Sequence, residues 1–369
     1  MKSLPTMACA IVLSIAAGLG GTPGISRAEA FDTRLLPARA PFPPSSPGLP
    51  QARAQASLET TGRILRVGPS AAFTAPSAAA SVARDGDTIE IASGDYSGDV
   101  AVWNASRIRI VGAEPRPHIR ADGRDAQGKA IWVVRGDSVT IENVEMSGAR
   151  VADRNGAAIR VEGRNFYLRN AYLHDNENGL LSGANPTSEI VIEHCEFARN
   201  GEGEGHTHNL YVGAIAKLTV KQSYLHHAIV GHNLKSRAAI SILTDNRLAD
   251  ESDGRASYTA DFPNGGQVVL AFNIFQKGPL SENGTLVSYG EEGLSEAKGG
   301  FVAKGNTFIS QRANAARFIF LAPGTKAINI NGNIFAGPAT LPDVPGVRTN
   351  NAVQSEMPGN VDLKPAGFK

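Results

Sequence analysis

Cysteine is scarce: the 369-residue chain holds two, Cys9 and Cys195. Cys9 lies in an N-terminal stretch that reads as a leader, which leaves Cys195 alone in the mature chain. That excludes an intramolecular disulfide, so an exported protein of this kind rests on a large core of its own. Cys195 abuts the apolar run "EIVIEHCEF" without an activating neighbour, the pattern of a half-buried structural thiol rather than a nucleophile. Long hydrophobic runs are lacking too. The stretch "MACAIVLSIAAGLGG" is too short, and too soon followed by Pro and Gly, to span a bilayer. An excess of one charge sign is also missing. The chain carries 36 basic and 35 acidic residues, and removal of residues 1–30 takes away Lys2, Arg27 and Glu29, which leaves a formal net charge of zero. General nucleic-acid binding needs a dominant basic surface, and none is present.

A basic start, a short apolar stretch and the small-x-small ending "AEA" describe a secretory signal peptide over residues 1–30, with cleavage expected after Ala30. The expected location is therefore secreted or periplasmic, with no stable membrane span after signal removal. Residues 31–61 are rich in Pro, Ala and Ser and read as a linker. A single folded domain is expected over 62–345, with a C-terminal tail over 346–369.

Within that domain a pattern recurs. Its final apolar position falls at Met146, Leu173, Phe197, Leu225, Leu248, Phe275, Phe308 and Phe335, at intervals of 27, 24, 28, 23, 27, 33 and 27 residues. Five positions before these lie Ile141, Leu168, Ile192, Val220, Leu243, Leu270, Ala303 and Ile330. Seven before lie Val139, Phe166, Ile190, Leu218, Ser241, Val268, Phe301 and Ile328. Alternation inside each short run is strand periodicity, and no run sustains a 3.6-residue period. One strand every twenty-odd residues, with Asn or Gly near its end, fits a parallel β-solenoid whose turns bury a continuous aliphatic ladder. Hairpin spacing for a sandwich and the leucine-rich frame are both absent. The expected class is all-β, a single-stranded right-handed parallel β-helix. The early part, beginning "AAFTAPSAAASVARDGDTIEIASGDYSG", is expected to supply a short Ala-rich helix that caps the open end, followed by the first strands.

The opening "DGDTIEIASGDYSG…IRIVGAE", followed by these turns, resembles the right-handed parallel β-helix proteins of the pectate-lyase-like superfamily over roughly residues 62 to 340. Between the repeats each turn has a second strand: "NGLLSG" (178–183), "HNLYVG" (208–213) and "HNLKSR" (232–237). These segments align Leu180, Leu210 and Leu234 in one inward column. Alternation then turns Tyr211 and Lys235 outward, one above the other, with Asn209, Asn233 and Arg237 on the same face. His206, His208, His226, His227 and His232 fall on the same or adjacent turns, a concentration of titratable groups in a chain with 8 histidines. His118 and His174 fall outside the patch, and His194 reads as structural. The resemblance implies that this outer face floors a polysaccharide groove.

"LKS" is similar to the segment that holds the catalytic lysine in the chondroitinase B and alginate lyase branch, which implies Lys235 as base in β-elimination of a uronate-containing, acidic polysaccharide. A lysine acts as base only when neutral, and protonated histidines beside it would favour that form. Arg237 and the histidines, His232 included, are expected to handle carboxylate charge, and Arg grips a carboxylate with two parallel bonds. Tyr211, Asn209, Asn233, His208 and His227 are the candidate substrate contacts. The branch's Arg-His-Gly motif is absent from the next turn, "GRASYTADFPNGG", so Arg255 or Tyr258 is left as proton donor. The branch's acidic calcium ligands are absent before Lys235 as well, and no cofactor is required by the sequence. His206, His208 and His232 form a candidate site for a divalent transition metal. Glu202, Glu204, Asp250, Glu251 and Asp253 supply carboxylates for a glycoside hydrolase alternative. A uronate epimerase and a non-catalytic carbohydrate-binding β-helix complete the alternatives, and the oligomeric state is open.

Overall fold

The computed structural model describes residues 62–295 and 299–355. The expected signal peptide and linker lie outside the described residues. Among those residues the chain forms three parallel sheets that wind as a β-solenoid, with eleven, nine and eleven strands. The order of strands in each sheet follows the chain, so each turn donates one strand to each sheet and stacks on the turn before it. The expected repeat is the ladder itself. Met146, Leu173, Phe197, Leu225, Leu248, Phe275, Phe308 and Phe335 pair in succession in the third sheet. The positions five and seven residues earlier pair likewise in the first sheet. Most of these side chains are fully buried. Each buried Leu, Ile or Phe contributes about 1.5–3 kcal/mol, which is how the chain holds without a disulfide. Ser241, the polar member of its column, shares a 2.9 Å hydrogen bond with Ser236 across the core.

Between the first and third sheets the chain turns sharply through one left-handed residue per turn. Asn143, Asn170, His194, Gln222, Asp245, Phe272, Gly305 and Gly332 all have φ between 46° and 67°. Asn and Gly tolerate this region best, which accounts for their recurrence at strand ends. The residue that follows points inward. Asn246, Asn273, Asn306, Asn333 and Asn351 form an amide ladder, each Nδ2 donating to the next Oδ1 at 2.8–3.0 Å. A second interior ladder, Asn176–Asn200–Asn209–Asn233–Asp250, runs along the corner between the third and second sheets.

The helix Pro76–Ala80 packs against strands Ile64–Val67 and Ala101–Trp103 at the N-terminal end and buries Ala79 completely. At the other end, strand Ala352–Gln354 pairs with Ile334–Ala336, so the third sheet's stacking continues past residue 345. Cys195 is fully rather than half buried, and burial pushes its thiol up to about 12. That keeps it protonated and unreactive, as a structural thiol should be. No helix among the described residues is long and apolar enough to cross a membrane.

Candidate functional site

The outward face of the second sheet changes character along the solenoid. Its early turns carry an apolar cluster of Val133, Ala157 and Leu181 under Ala126 of the preceding loop, and Tyr211 packs at the edge of this cluster. The next turns are polar. The pairing Leu180–Leu210–Leu234 holds the expected inward column, and Tyr211 stacks beside Lys235, which stacks in turn beside Asp261 and then Ser288. Neighbouring turns of a sheet lie only about 4.8 Å apart, so these outward side chains form one compact group.

Lys235 Nζ lies 3.0 Å from Glu292 Oε1 and 3.5 Å from Asp261 Oδ2. Glu292 Oε2 also receives Arg237 at 2.7 Å, so one carboxylate is gripped by both cations. Arg237 Nε donates to the Tyr211 hydroxyl at 3.0 Å, and its Nη1 donates to Asn264 Oδ1. The Glu292 loop is docked through Glu292 N to Pro263 O and Ser295 N to Asn264 O. Tyr258 donates its hydroxyl to Glu291, which also accepts from Ser288 at 3.0 Å. Beneath these lies His232, whose Nε2 is 3.5 Å from Asp261 Oδ2. His208 stacks on His232 with ring centroids 4.6 Å apart.

Burial sets the protonation of this floor. It raises Asp261 to about 6, with Lys235 opposing. Burial and then the Lys235 charge lower His232 to about 3, and burial followed by His232 takes His208 well below the usual imidazole value. Burial also raises Glu292, but Lys235 and Arg237 outweigh it and hold the carboxylate below its ordinary range. The Tyr258 hydroxyl is raised by burial and by Glu291, so it keeps its proton. Two buried atoms here, His232 Nδ1 and Asp261 Oδ1, have no hydrogen-bond partner. Buried polar groups are nearly always paired, so these two atoms stand out in the floor of the cluster.

The structure brings together Tyr211, His208, His232, Lys235, Arg237 and Tyr258. It changes the roles expected of several others. Asn209 and Asn233 do not stand on the outer face: both are fully buried in the corner ladder. Alternation fails there because the chain rounds a corner. Pairing passes from His232 to Leu234, and Asn233 and Leu234 both face inward. His208 and His232 are held neutral by burial, so they do not supply the positive charge expected for a carboxylate. Carboxylates, not protonated histidines, flank Lys235. His227 follows the third-sheet strand Tyr224–His226, and its Nε2 lies 3.1 Å from Asp253, while its neighbour His226 lies 3.1 Å from Glu196. Arg255 is exposed, and among the described residues its side chain makes no bond to the cluster. The trio His206, His208 and His232 does not converge as ligands. His206 is exposed, and His208 Nδ1 accepts the His232 backbone N–H at 3.0 Å.

Two of the carboxylates weighed for hydrolysis, Asp250 and Glu251, are committed elsewhere. Asp250 is fully buried against Lys277, and Glu251 is paired with Arg247. Sequence reasoning missed Asp261, Glu291 and Glu292. Asp261 was findable, because it stands 26 residues after Lys235 in the same column; the two glutamates come from a loop, where the repeat gives no register.

No known family model matches the sequence, and a search of curated proteins finds no match. Among solved structures, pectate lyase Pel9A is similar with a TM-score of 0.50 and 14% identity, covering 81% of this chain and 78% of that one. GH136 lacto-N-biosidase from Eubacterium ramulus has a TM-score of 0.39 and 12% identity, covering 80% and 67%. The PL6 family alginate lyase AlyGC has a TM-score of 0.32 and 12% identity, covering 76% and 52%. Such likeness shows the fold alone: a parallel β-helix of the pectate-lyase-like kind, as the opening segment implied. A fold of this kind does not fix a reaction, so the reaction rests on the site residues.

Proposed function

We propose that the protein is a polysaccharide lyase that cleaves a uronate-containing chain by β-elimination on the outer face of the second sheet. The observation that carries this reading is the Glu292 carboxylate held jointly by Lys235 and Arg237. A site that grips its own carboxylate this way is complementary to a uronate carboxylate, which would displace Glu292 and leave Arg237 as its clamp. A lysine takes a proton only in its neutral form, so Glu292 has to leave Lys235 before the base is ready. Lys235 then takes the C5 proton, the C4–O bond breaks, and a C4=C5 double bond forms. The Tyr258 hydroxyl, which holds its proton firmly in the free site, gives it to the departing oxygen. Tyr258 is preferred to Arg255 as donor because it belongs to the cluster. Tyr211 offers a ring for a sugar to lie on, and the apolar turns before it bound the groove.

A glycoside hydrolase reading draws on Asp261, whose raised pKa suits a general acid. One experiment separates the readings. The mature protein is incubated with alginate, pectate and glycosaminoglycans while ultraviolet absorbance of the unsaturated uronate and reducing ends are both followed. Absorbance and reducing ends rising together, and lost in Lys235→Ala, support the lyase. Reducing ends without absorbance indicate hydrolysis, and neither signal over the panel rejects cleavage and leaves the epimerase and carbohydrate-binding readings. Full activity in Lys235→Ala rejects the assigned base.

A further inference from the structure

A second constellation lies on the outer face of the third sheet, away from the Lys235 group. Two turns carry the same tripeptide, Tyr172-Leu173-His174 and Tyr224-Leu225-His226. In each, the tyrosine stacks on the histidine, at 4.1 and 3.8 Å between ring centroids. In each, a glutamate on the preceding turn pairs with the tyrosine position and meets the histidine Nε2 at 3.1 Å: Glu145 for His174, Glu196 for His226. The two differ one turn further back. Opposite Glu145 stands a second imidazole, His118, whereas opposite Glu196 stands Tyr172.

We propose that His118, Glu145 and His174 form a binding site for a divalent transition metal, zinc above all. The donor atoms already converge. His118 Nδ1 and His174 Nε2 lie 3.7 and 3.1 Å from the same atom, Glu145 Oε1, and all three ligand atoms fall within 4.8 Å of one another. A tetrahedral zinc with ligand bonds of about 2.0–2.1 Å separates its donors by about 3.3 Å. The ring centroids of His118 and His174 are 5.7 Å apart, close to the roughly 5 Å that two imidazoles on one tetrahedral ion require.

The far side of each ring is organised to match. His174 Nδ1 meets Asp175 Oδ2 at 2.6 Å and His118 Nε2 meets Ser147 Oγ at 2.8 Å. His174 donates to Glu145 through Nε2 as well; an ion takes the place of that proton, while Asp175 keeps the proton on Nδ1 and Ser147 Oγ can accept from His118 Nε2. Histidines that bind metals are held in this way by carboxylates or other acceptors. Asp95 Oδ1, 3.6 Å from His118 Nδ1, is at hand as a fourth ligand; otherwise water completes the shell. A set of two imidazoles and carboxylate oxygen suits zinc, copper or nickel, while calcium and magnesium prefer oxygen alone. The ligands come from three successive turns, so the ion would tie those turns together.

The test uses untagged mature protein dialysed against zinc chloride, followed by metal analysis and by thermal unfolding with and without zinc. One zinc per chain and a zinc-dependent rise in Tm are expected. His118→Ala and His174→Ala should each abolish both, and His226→Ala, in the look-alike constellation that lacks a second imidazole, should retain both. Asp175→Asn, which leaves every ligand in place, should weaken retention by about 10–100-fold. It keeps the test valid should a ligand variant fail to fold. Wild-type protein that retains no zinc above background, or a loss in His226→Ala equal to that in His118→Ala, overturns the site.

Discussion

Among the described residues two lysine–aspartate pairs lie close together along the chain, and their surroundings differ. Lys277 and Asp250 are both fully buried, with Nζ 3.7 Å from Oδ2. Burial lowers Lys277 to about 8 against the pull of Asp250. Every polar atom of this pair is engaged. Lys277 donates to Ala256 O and Ser257 O, and Asp250 accepts from Asn233, Gly278 N and Ser281. The pair terminates the corner ladder and has nothing left to offer a ligand. Lys235 and Asp261 are at a similar separation, 3.5 Å, but Lys235 reaches the surface and Asp261 keeps one oxygen without a partner. A buried charge is tolerated when its hydrogen bonding is complete. Exposure of the lysine and completeness of hydrogen bonding, rather than charge, separate the two pairs.

Substitution of the two lysines gives the widest contrast. Lys235→Ala should reduce β-elimination by about 10²–10⁴-fold with little change in Tm, the range expected for loss of a positioned base. Lys277→Met should leave the Asp250 charge uncompensated and cost about 3–5 kcal/mol in urea unfolding. A Lys235→Ala protein as unstable as Lys277→Met would erase the distinction. Next comes Asn233→Ala, which strips partners from both Asn209 Nδ2 and Asp250 Oδ1. A loss of about 2–3 kcal/mol is expected, since each orphaned buried group costs about 1–3 kcal/mol.

The floor of the working site should also show itself in the pH dependence of stability. His232 is lowered from 6.5 to about 3 in the folded protein, so the unfolded chain takes up the proton first as pH falls. Its contribution is complete above pH 6.5 and is lost on the way down to about 3, at about 1.4 kcal/mol per pH unit. At pH 5 the wild type should therefore have lost about 2 kcal/mol more than His232→Asn, measured by denaturant unfolding across the pH range. Equal losses would mean that His232 is not buried as a neutral imidazole. The smallest effect lies far from either pair. Phe272 sits in the left-handed column at φ 58° and is 56% exposed. Phe272→Asn should gain at most about 1 kcal/mol, the strain of that conformation for an ordinary side chain, read as a small rise in Tm.

The ladder was legible because a solenoid converts spacing into contact. Met146 to Phe335 could be aligned by eye, and every one of those alignments is a pairing in the sheet. Lys235 over Tyr211 was equally legible from the shared Asn-Leu. The placement of Asn209 and Asn233 was not, since alternation holds along a strand and fails at a corner where two successive residues turn inward. The histidines were misjudged for a different reason. Their number suggests positive charge, but burial decides protonation, and burial is not written in the local sequence.

The sequence by itself determined the solenoid, its register and the column that carries Lys235, because each of these follows from a period that the chain repeats many times over. Only the tertiary structure decided that Glu292 reaches Lys235 from 57 residues away, that Asp261 is buried beside it, and that His118 and His174 converge on Glu145. Those meetings depend on loop paths and on which side chains are cut off from water, and no single turn of the repeat contains either.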